Sequence, residues 1–140
     1  MDRMEWRRIA DKEARAYRRS VAFVKGYLEG GGSLSSHTVS ERFRERLRWV
    51  WAIERVREHL KRTDATKSAF FMAYYGLDRP MTRREQRATL VQLSLSLYAS
   101  PATLSRWRDE ILDDLLLAAT QVGALRVFSI SEKNDTRTPF

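Results

Sequence analysis

The sequence predicts an all-α protein, a helical bundle with long helices in its N-terminal part. Three observations support this class. Apolar residues recur at spacings of three and four along most of the chain, as they do on the buried face of a helix. Side chains that can cap a helix precede several of these stretches, and glycines stand where they end. The chain of 140 residues contains no Cys, which excludes a disulfide scaffold.

The N-terminal part, residues 1–62, contains two predicted helices and a linker. The first helix runs without a break from Asp2 to Glu29 and ends at three consecutive glycines. Residues 30–39 are rich in Gly and Ser, which is typical of a flexible linker. The second helix spans Ser40–Lys61. It carries two apolar tracks, so we expect it to pack on more than one neighbour.

The second part, residues 63–123, begins with a helix that is capped by Asp64 or Thr66. This helix carries the aromatic cluster FFMAYYG and stops at its glycine. Few basic residues lie beside the cluster, so we expect it to pack in the core and not to stack on nucleic-acid bases. A capping box at Thr82–Glu85 starts the next helix. Residues 124–140 are predicted to form an extended C-terminal tail that begins with a short β-prone run.

The stretch LVQLSLSLYASPATLSRWR, residues 90–108, predicts a C-terminal helix-turn-helix. A tight turn over residues 98–100 separates its two helices. The second helix begins at Pro101, because Ser100 can cap it and proline fits the first helical position, which needs no amide donor. Four apolar residues have the phase to form the small core between the two helices: Leu93, Leu97, Leu104 and Trp107.

The outward face of the second helix favours contact with duplex DNA. It carries small and hydrogen-bonding side chains and one arginine suited to bidentate contact with guanine. A recognition helix enters the major groove with its amino end first. An ordinary helical hairpin within a bundle is the alternative. The residues expected to contact base edges are Ala102, Ser105 and Arg106, and those expected to contact phosphates are Ser100, Thr103, Arg83, Arg84, Arg87 and Arg108.

The charge distribution is weaker evidence than the motif. A net charge of +8 suits phosphate contact. Between Arg79 and Arg108 the chain has several arginines and a single acid, Glu85, yet most of the surplus positive charge lies in residues 1–62. The acidic run that follows, from Asp109 to Asp114, is either a solvated helix face or a surface for a second partner.

The sequence shows no catalytic, metal or cofactor motif. His37 and His59 have no carboxylate or Cys at metal-ligand spacing, and there is no nucleophile elbow or phosphate loop. We therefore expect no enzyme activity and no cofactor. The sequence has no apolar run long enough to span a bilayer, and its first residues lack the apolar core of a signal peptide. We expect a cytoplasmic protein without a membrane partner.

The pattern L-x-x-L-S-x-x-L-Y-x-S-x-x-T-x-x-R-W-R, from Leu90 to Arg108, resembles phage transcriptional regulators of the ArpU and RinA type. Their C-terminal part is similar to the promoter-reading domain of bacterial sigma factors. The resemblance implies a prophage-encoded regulator of late genes that binds promoter DNA, with RNA polymerase as a further partner. One departure is Tyr98, which stands where helix-turn-helix motifs often have Gly.

Three functions stay open at this point. The first is a sequence-specific transcriptional regulator that binds double-stranded DNA through helix 101–122, alone or as a homodimer. The second is a helical adaptor that binds RNA polymerase or another phage protein. The third is a phage packaging protein, since small terminase subunits also combine helix-turn-helix domains with helical oligomerisation segments.

Overall fold

The computed structural model of the chain describes residues 2–30, 37–79 and 82–125, without the side chains of residues 37–39, 83 and 85–89. The described residues form six helices and no strand, so the predicted all-α class is confirmed. The helices are α1 (Arg3–Arg15), α2 (Tyr17–Glu29), α3 (His37–Thr63), α4 (Ala65–Tyr75), α5 (Arg83–Ser96) and α6 (Pro101–Gln121).

The prediction of one unbroken helix over residues 2–29 is wrong, because the stretch divides at Ala16 into α1 and α2. The break is slight. The Ala16 amide still donates to the Lys12 carbonyl at 3.0 Å, and the Ser20 amide donates to the Ala16 carbonyl at 2.9 Å. The two halves pack on different neighbours, α1 on α6 and α2 on α3. Residues 2–29 thus cover two different helices. The apolar residues of this stretch form one continuous stripe, so the sequence does not reveal the break between α1 and α2.

The predicted boundaries of α4 and α5 are confirmed. Asp64 caps α4 by accepting a hydrogen bond from the Lys67 amide at 3.1 Å. Gly76 ends the helix in the left-handed region, with φ 61°, where glycine carries no steric penalty. The next helix starts at Arg83, as the capping box predicts. The Glu85 side chain, which would complete the box, lies outside the described residues.

One other predicted boundary changes. α3 begins at His37, so the linker predicted over residues 30–39 is shorter than expected, and its residues 31–36 lie outside the described part. The predicted β-prone run begins at Leu125, which is in a bend, and the run continues into the undescribed residues. The whole polar end of the predicted tail also lies there.

One hydrophobic core joins the two predicted parts of the chain. Its largest fully buried side chains include Ile53 on α3, Phe70 and Phe71 on α4, and Leu104 and Ile111 on α6. The aromatic cluster of α4 therefore packs in the core, as predicted. The predicted boundary at residue 62 does not coincide with a gap in the packing, since α3 and α6 pack against each other.

Ion pairs hold α1 along α6. The Asp113 carboxylate accepts two hydrogen bonds from Arg7, from Nε and from Nη2, each at 2.8 Å. It accepts a third from Arg3 at 2.7 Å. The hydrogen bond from Arg7 is the main cause of a lowered pKa at Asp113. Charge-assisted bidentate pairs of this kind are the strong ones and fix geometry as well as distance.

The acidic run of α6 is therefore largely engaged within the chain. Besides Asp113, Asp109 lies 3.7 Å from Arg7. Glu110 accepts a hydrogen bond from Lys67 of α4 at 3.1 Å. These pairings make the acidic run a contact between α6 and the helices α1 and α4. The sequence alone predicts only a solvated helix face or a surface for a second partner.

We expect Asp113→Asn to lower the free energy of unfolding by about 1 kcal/mol, because it removes a charged acceptor from a partly exposed pair. Since the folded-state pKa of Asp113 is lowered, the stabilisation is present above about pH 4. It is lost as the pH falls through the folded-state value. Urea denaturation measures the free energy of unfolding of the variant and of the parent protein. The difference between them should be smaller near pH 3 than at neutral pH.

Asp114→Asn is the matched control. Asp114 is the next residue, is exposed, and forms no ion pair within the described residues. It should unfold like the parent protein. An equal loss in both variants would contradict the role assigned to Asp113.

Candidate nucleic-acid interface

The turn between α5 and α6 comprises residues 97–100, one residue more than the predicted 98–100. Tyr98 adopts φ 51°, the left-handed conformation that explains why glycine is common at this position. Ser94 Oγ donates to the Ala99 carbonyl at 2.6 Å, and the Ala99 amide donates to the Ser94 carbonyl at 3.2 Å. These two hydrogen bonds tie the last turn of α5 to the residue just before the cap of α6.

The amino end of α6 is capped and exposed. Ser100 Oγ accepts a hydrogen bond from the Thr103 amide at 3.1 Å, and Pro101 is the first helical residue, as predicted. Ser100, Pro101 and Ala102 are all exposed. The positive end of the helix dipole therefore faces solvent, an arrangement that suits a phosphate group.

The four apolar residues predicted to join the two helices all belong to the common core or pack against it. Leu104 is fully buried, and the partly buried residues Leu93, Leu97 and Trp107 pack against the core. The Trp107 ring meets Phe70 edge-on, with a centroid distance of 6.1 Å. This packing sets which side of α6 faces outward.

Four of the predicted DNA-binding residues lie around the side of α6 opposite the buried Leu104. Ala102 and Arg106 are exposed, and Thr103 and Ser105 are partly exposed. The Arg106 side chain is 69% exposed and lies 3.4 Å from Glu110, one turn along the helix. An exposed pair of this kind contributes little energy, so the guanidinium is available to a better acceptor.

The arginines predicted to contact phosphates occupy different places. Arg84 is exposed on the first turn of α5. Arg83 and Arg87 belong to the same helix, but their side chains lie outside the described residues. Arg108 is placed apart from the outward face of α6: its side chain is only 37% exposed, lies 3.6 Å from Asp109 and lines a groove with Asp11 and Arg15 of α1. The structure thus gives Arg108 contacts within the bundle, which its position in the sequence does not reveal.

A network of polar side chains connects α1 with α4, and the sequence does not predict it. The Tyr75 hydroxyl donates to Asp11 at 2.7 Å, and Arg15 donates to the same carboxylate at 2.9 Å and to the Tyr74 hydroxyl at 3.2 Å. Burial, reinforced by the Asp11 charge, raises the pKa of Tyr75, so its hydroxyl remains a donor. The spacing of Asp11 and Arg15 is visible in the sequence as an i,i+4 pair, whereas their tyrosine partners are distant in the chain.

Neither a metal site nor a membrane span appears in the part of the chain that the structure describes. No three His, Asp or Glu side chains within it converge to hold a metal ion. None of its helices combines the length and the apolar character needed to cross a bilayer.

Tyr98→Gly should raise the free energy of unfolding by about 0.5–1 kcal/mol, because a left-handed non-glycine residue costs about 1–2 kcal/mol and glycine's greater freedom in the unfolded chain offsets part of the gain. Little packing is lost, since Tyr98 is 97% exposed. Urea denaturation at low protein concentration measures the change. Tyr98→Ala removes the same ring but keeps Cβ, so it should show no gain. Equal gains in both variants would mean that the backbone conformation is not the cause.

No protein-family model matches this chain, and it has no match among curated proteins or solved structures. The resemblance to regulators of the ArpU and RinA type therefore stays a prediction based on residues 90–108.

Proposed function

We propose that this chain is a sequence-specific DNA-binding protein that regulates transcription, with the amino end of α6 inserted in the major groove of duplex DNA. The observation that carries the proposal is the exposed, capped start of α6 behind a tight turn. Its outward residues are small or hydrogen-bonding, and its inward residue Leu104 is fully buried. This is the arrangement in which a recognition helix approaches base edges while its opposite side is held rigidly.

In this proposal the outward residues have separate roles. Arg106 donates to the O6 and N7 atoms of a guanine, and Ser105 and Ala102 contact neighbouring base edges. The hydroxyls of Ser100 and Thr103 bind a phosphate at the helix end. Arg84 contributes a phosphate contact that does not depend on sequence, with Arg83 and Arg87 of the same helix as further candidates.

Neutralisation of the acidic run supports this proposal. Carboxylates close behind a DNA-binding surface would repel phosphates through the low-dielectric protein. Here Asp113 is paired with Arg3 and Arg7, and Glu110 with Lys67. The basic residues of α1 and α4 thus reduce the repulsion that α6 alone would exert.

The wider biological role is proposed from the resemblance alone. In this proposal the protein is encoded by a prophage, controls late genes, contacts RNA polymerase and is located in the cytoplasm. A helical adaptor without DNA binding is the second candidate, and it is favoured by the exposed apolar side chains Val91, Leu95 and Leu117. Titration with random duplex DNA separates the two functions, since a DNA-binding protein shows steep salt dependence and an adaptor shows no binding at low salt.

Selection from a random duplex library gives the preferred site, and fluorescence anisotropy then measures affinity for that site and for random duplex. We expect Arg106→Ala to weaken binding to the selected site by about 1–3 kcal/mol, roughly 5- to 150-fold, if it loses a bidentate base contact. Binding to random duplex should change far less. An Arg106→Ala protein that keeps its full preference for the selected site would contradict this role.

Arg84→Ala should weaken binding to the selected site and to random duplex by the same factor. It should also reduce the slope of log affinity against log salt by about one, as expected for a lost phosphate contact. Arg18→Ala is the control. Arg18 is an exposed arginine of α2, the helix that packs on α3, so the same charge is removed away from α6. If Arg18→Ala changes the slope as much as Arg84→Ala does, the effect is one of net charge and not of a contact.

A further inference from the structure

Helix α5 carries apolar side chains on two sides, of which the core uses one. Leu90, Leu93 and Leu97 pack against the core. Val91, Leu95 and Tyr98 point outward and are 65%, 73% and 97% exposed. Val91 and Leu95 lie one turn apart on the same side of α5, and Tyr98 follows in the turn after the helix; these three residues are named the α5 stripe.

The α5 stripe lies in an unusual stretch of the chain. Residues 88–105 contain no charged side chain, although 31% of the whole chain is charged. Single exposed apolar residues are ordinary on protein surfaces, but a continuous apolar line without charges around it marks a contact surface. Leu117, which is 60% exposed on α6, differs because it borders a groove that Arg55, Arg62 and Asp114 also line.

We propose that the α5 stripe is where two copies of this chain pair, α5 against α5 around a two-fold axis. A two-fold contact uses the same patch on both copies, so an apolar patch meets an apolar patch. Each copy carries a net charge of +8 and repels the other over most of its surface. Two such copies approach each other with the least electrostatic repulsion at the uncharged stretch. An acidic partner is not favoured there, because the stretch contains no cation to pair with it.

Antiparallel pairing also keeps the arginines of α5 away from their counterparts: Arg87, one turn before Val91, is separated from its copy by about 18 Å along the pair when the axis lies near Leu93. Arg84 lies on the side of the α5 stripe, two turns before Val91. With the axis near Leu93, the two Arg84 residues are separated by about 27 Å along the pair at 1.5 Å per residue. This distance is more than three Debye lengths at physiological salt, about 8 Å each, so their repulsion is screened.

The size of the contact sets the expected strength. A standard stable interface has about 20–30 residues a side, many more than the α5 stripe offers. We therefore expect a reversible dimer in the micromolar range. On DNA, a consequence that rests on the proposed function, such a dimer would bind two half-sites about one helical turn apart.

Sedimentation velocity of the full chain without DNA tests the pairing, over about 1–200 μM, the range in which micromolar association is visible. The expected result is a monomer–dimer equilibrium that Leu95→Glu weakens about tenfold or more. Leu117→Glu is the matched control, because it places the same charge on a similarly exposed leucine outside the α5 stripe. Both variants should unfold like the parent protein in urea. If Leu95→Glu itself disturbs folding, Val91→Glu takes its place.

Two results would overturn the inference: a parent protein that stays monomeric throughout, or a dimer that Leu117→Glu weakens as much as Leu95→Glu does. A short duplex with one selected half-site separates this inference from the proposed function. DNA binding without dimerisation removes only the pairing. Dimerisation by the α5 stripe without any DNA binding supports the pairing and removes the proposed function.

Discussion

The burial of one side of α6 is the constraint on which the rest of the structure depends. This helix packs against α1, α3, α4 and α5, and its residues Leu104, Ile111 and Leu115 are fully buried. Rotating the helix about its axis would bring charged side chains into the core at a prohibitive cost. The same burial therefore decides which residues at its amino end face outward, Arg106 and Ser105 among them.

Electrostatics adds a second layer to this packing. α6 carries its acids just behind its exposed start, and α1 supplies Arg3 and Arg7 to pair with them. Part of the positive charge of the N-terminal part of the chain is thus used to neutralise α6. This explains why total charge is a poor guide to the candidate interface, whereas the local environment of each arginine is informative.

Features of the fold that depend on near neighbours are predictable from the sequence, and those that depend on distant partners are not. The cap at Ser100, the start at Pro101 and the left-handed end at Gly76 each follow from side chains within one turn. The break at Ala16 depends on which helices cover its two sides. The partly buried position of Arg108 depends likewise on tertiary packing, so no local pattern distinguishes an inward arginine from an outward one.

The pairing of Arg7 with Asp113 spans 106 residues of the chain. During synthesis, which adds about 5–20 residues per second, α1 leaves the ribosome several seconds before α6 exists. Ala10 and Ala14, fully buried in the finished bundle, have no final neighbour on α6 during that interval. The packing of α1 in the bundle is therefore completed only after α6 has been synthesised.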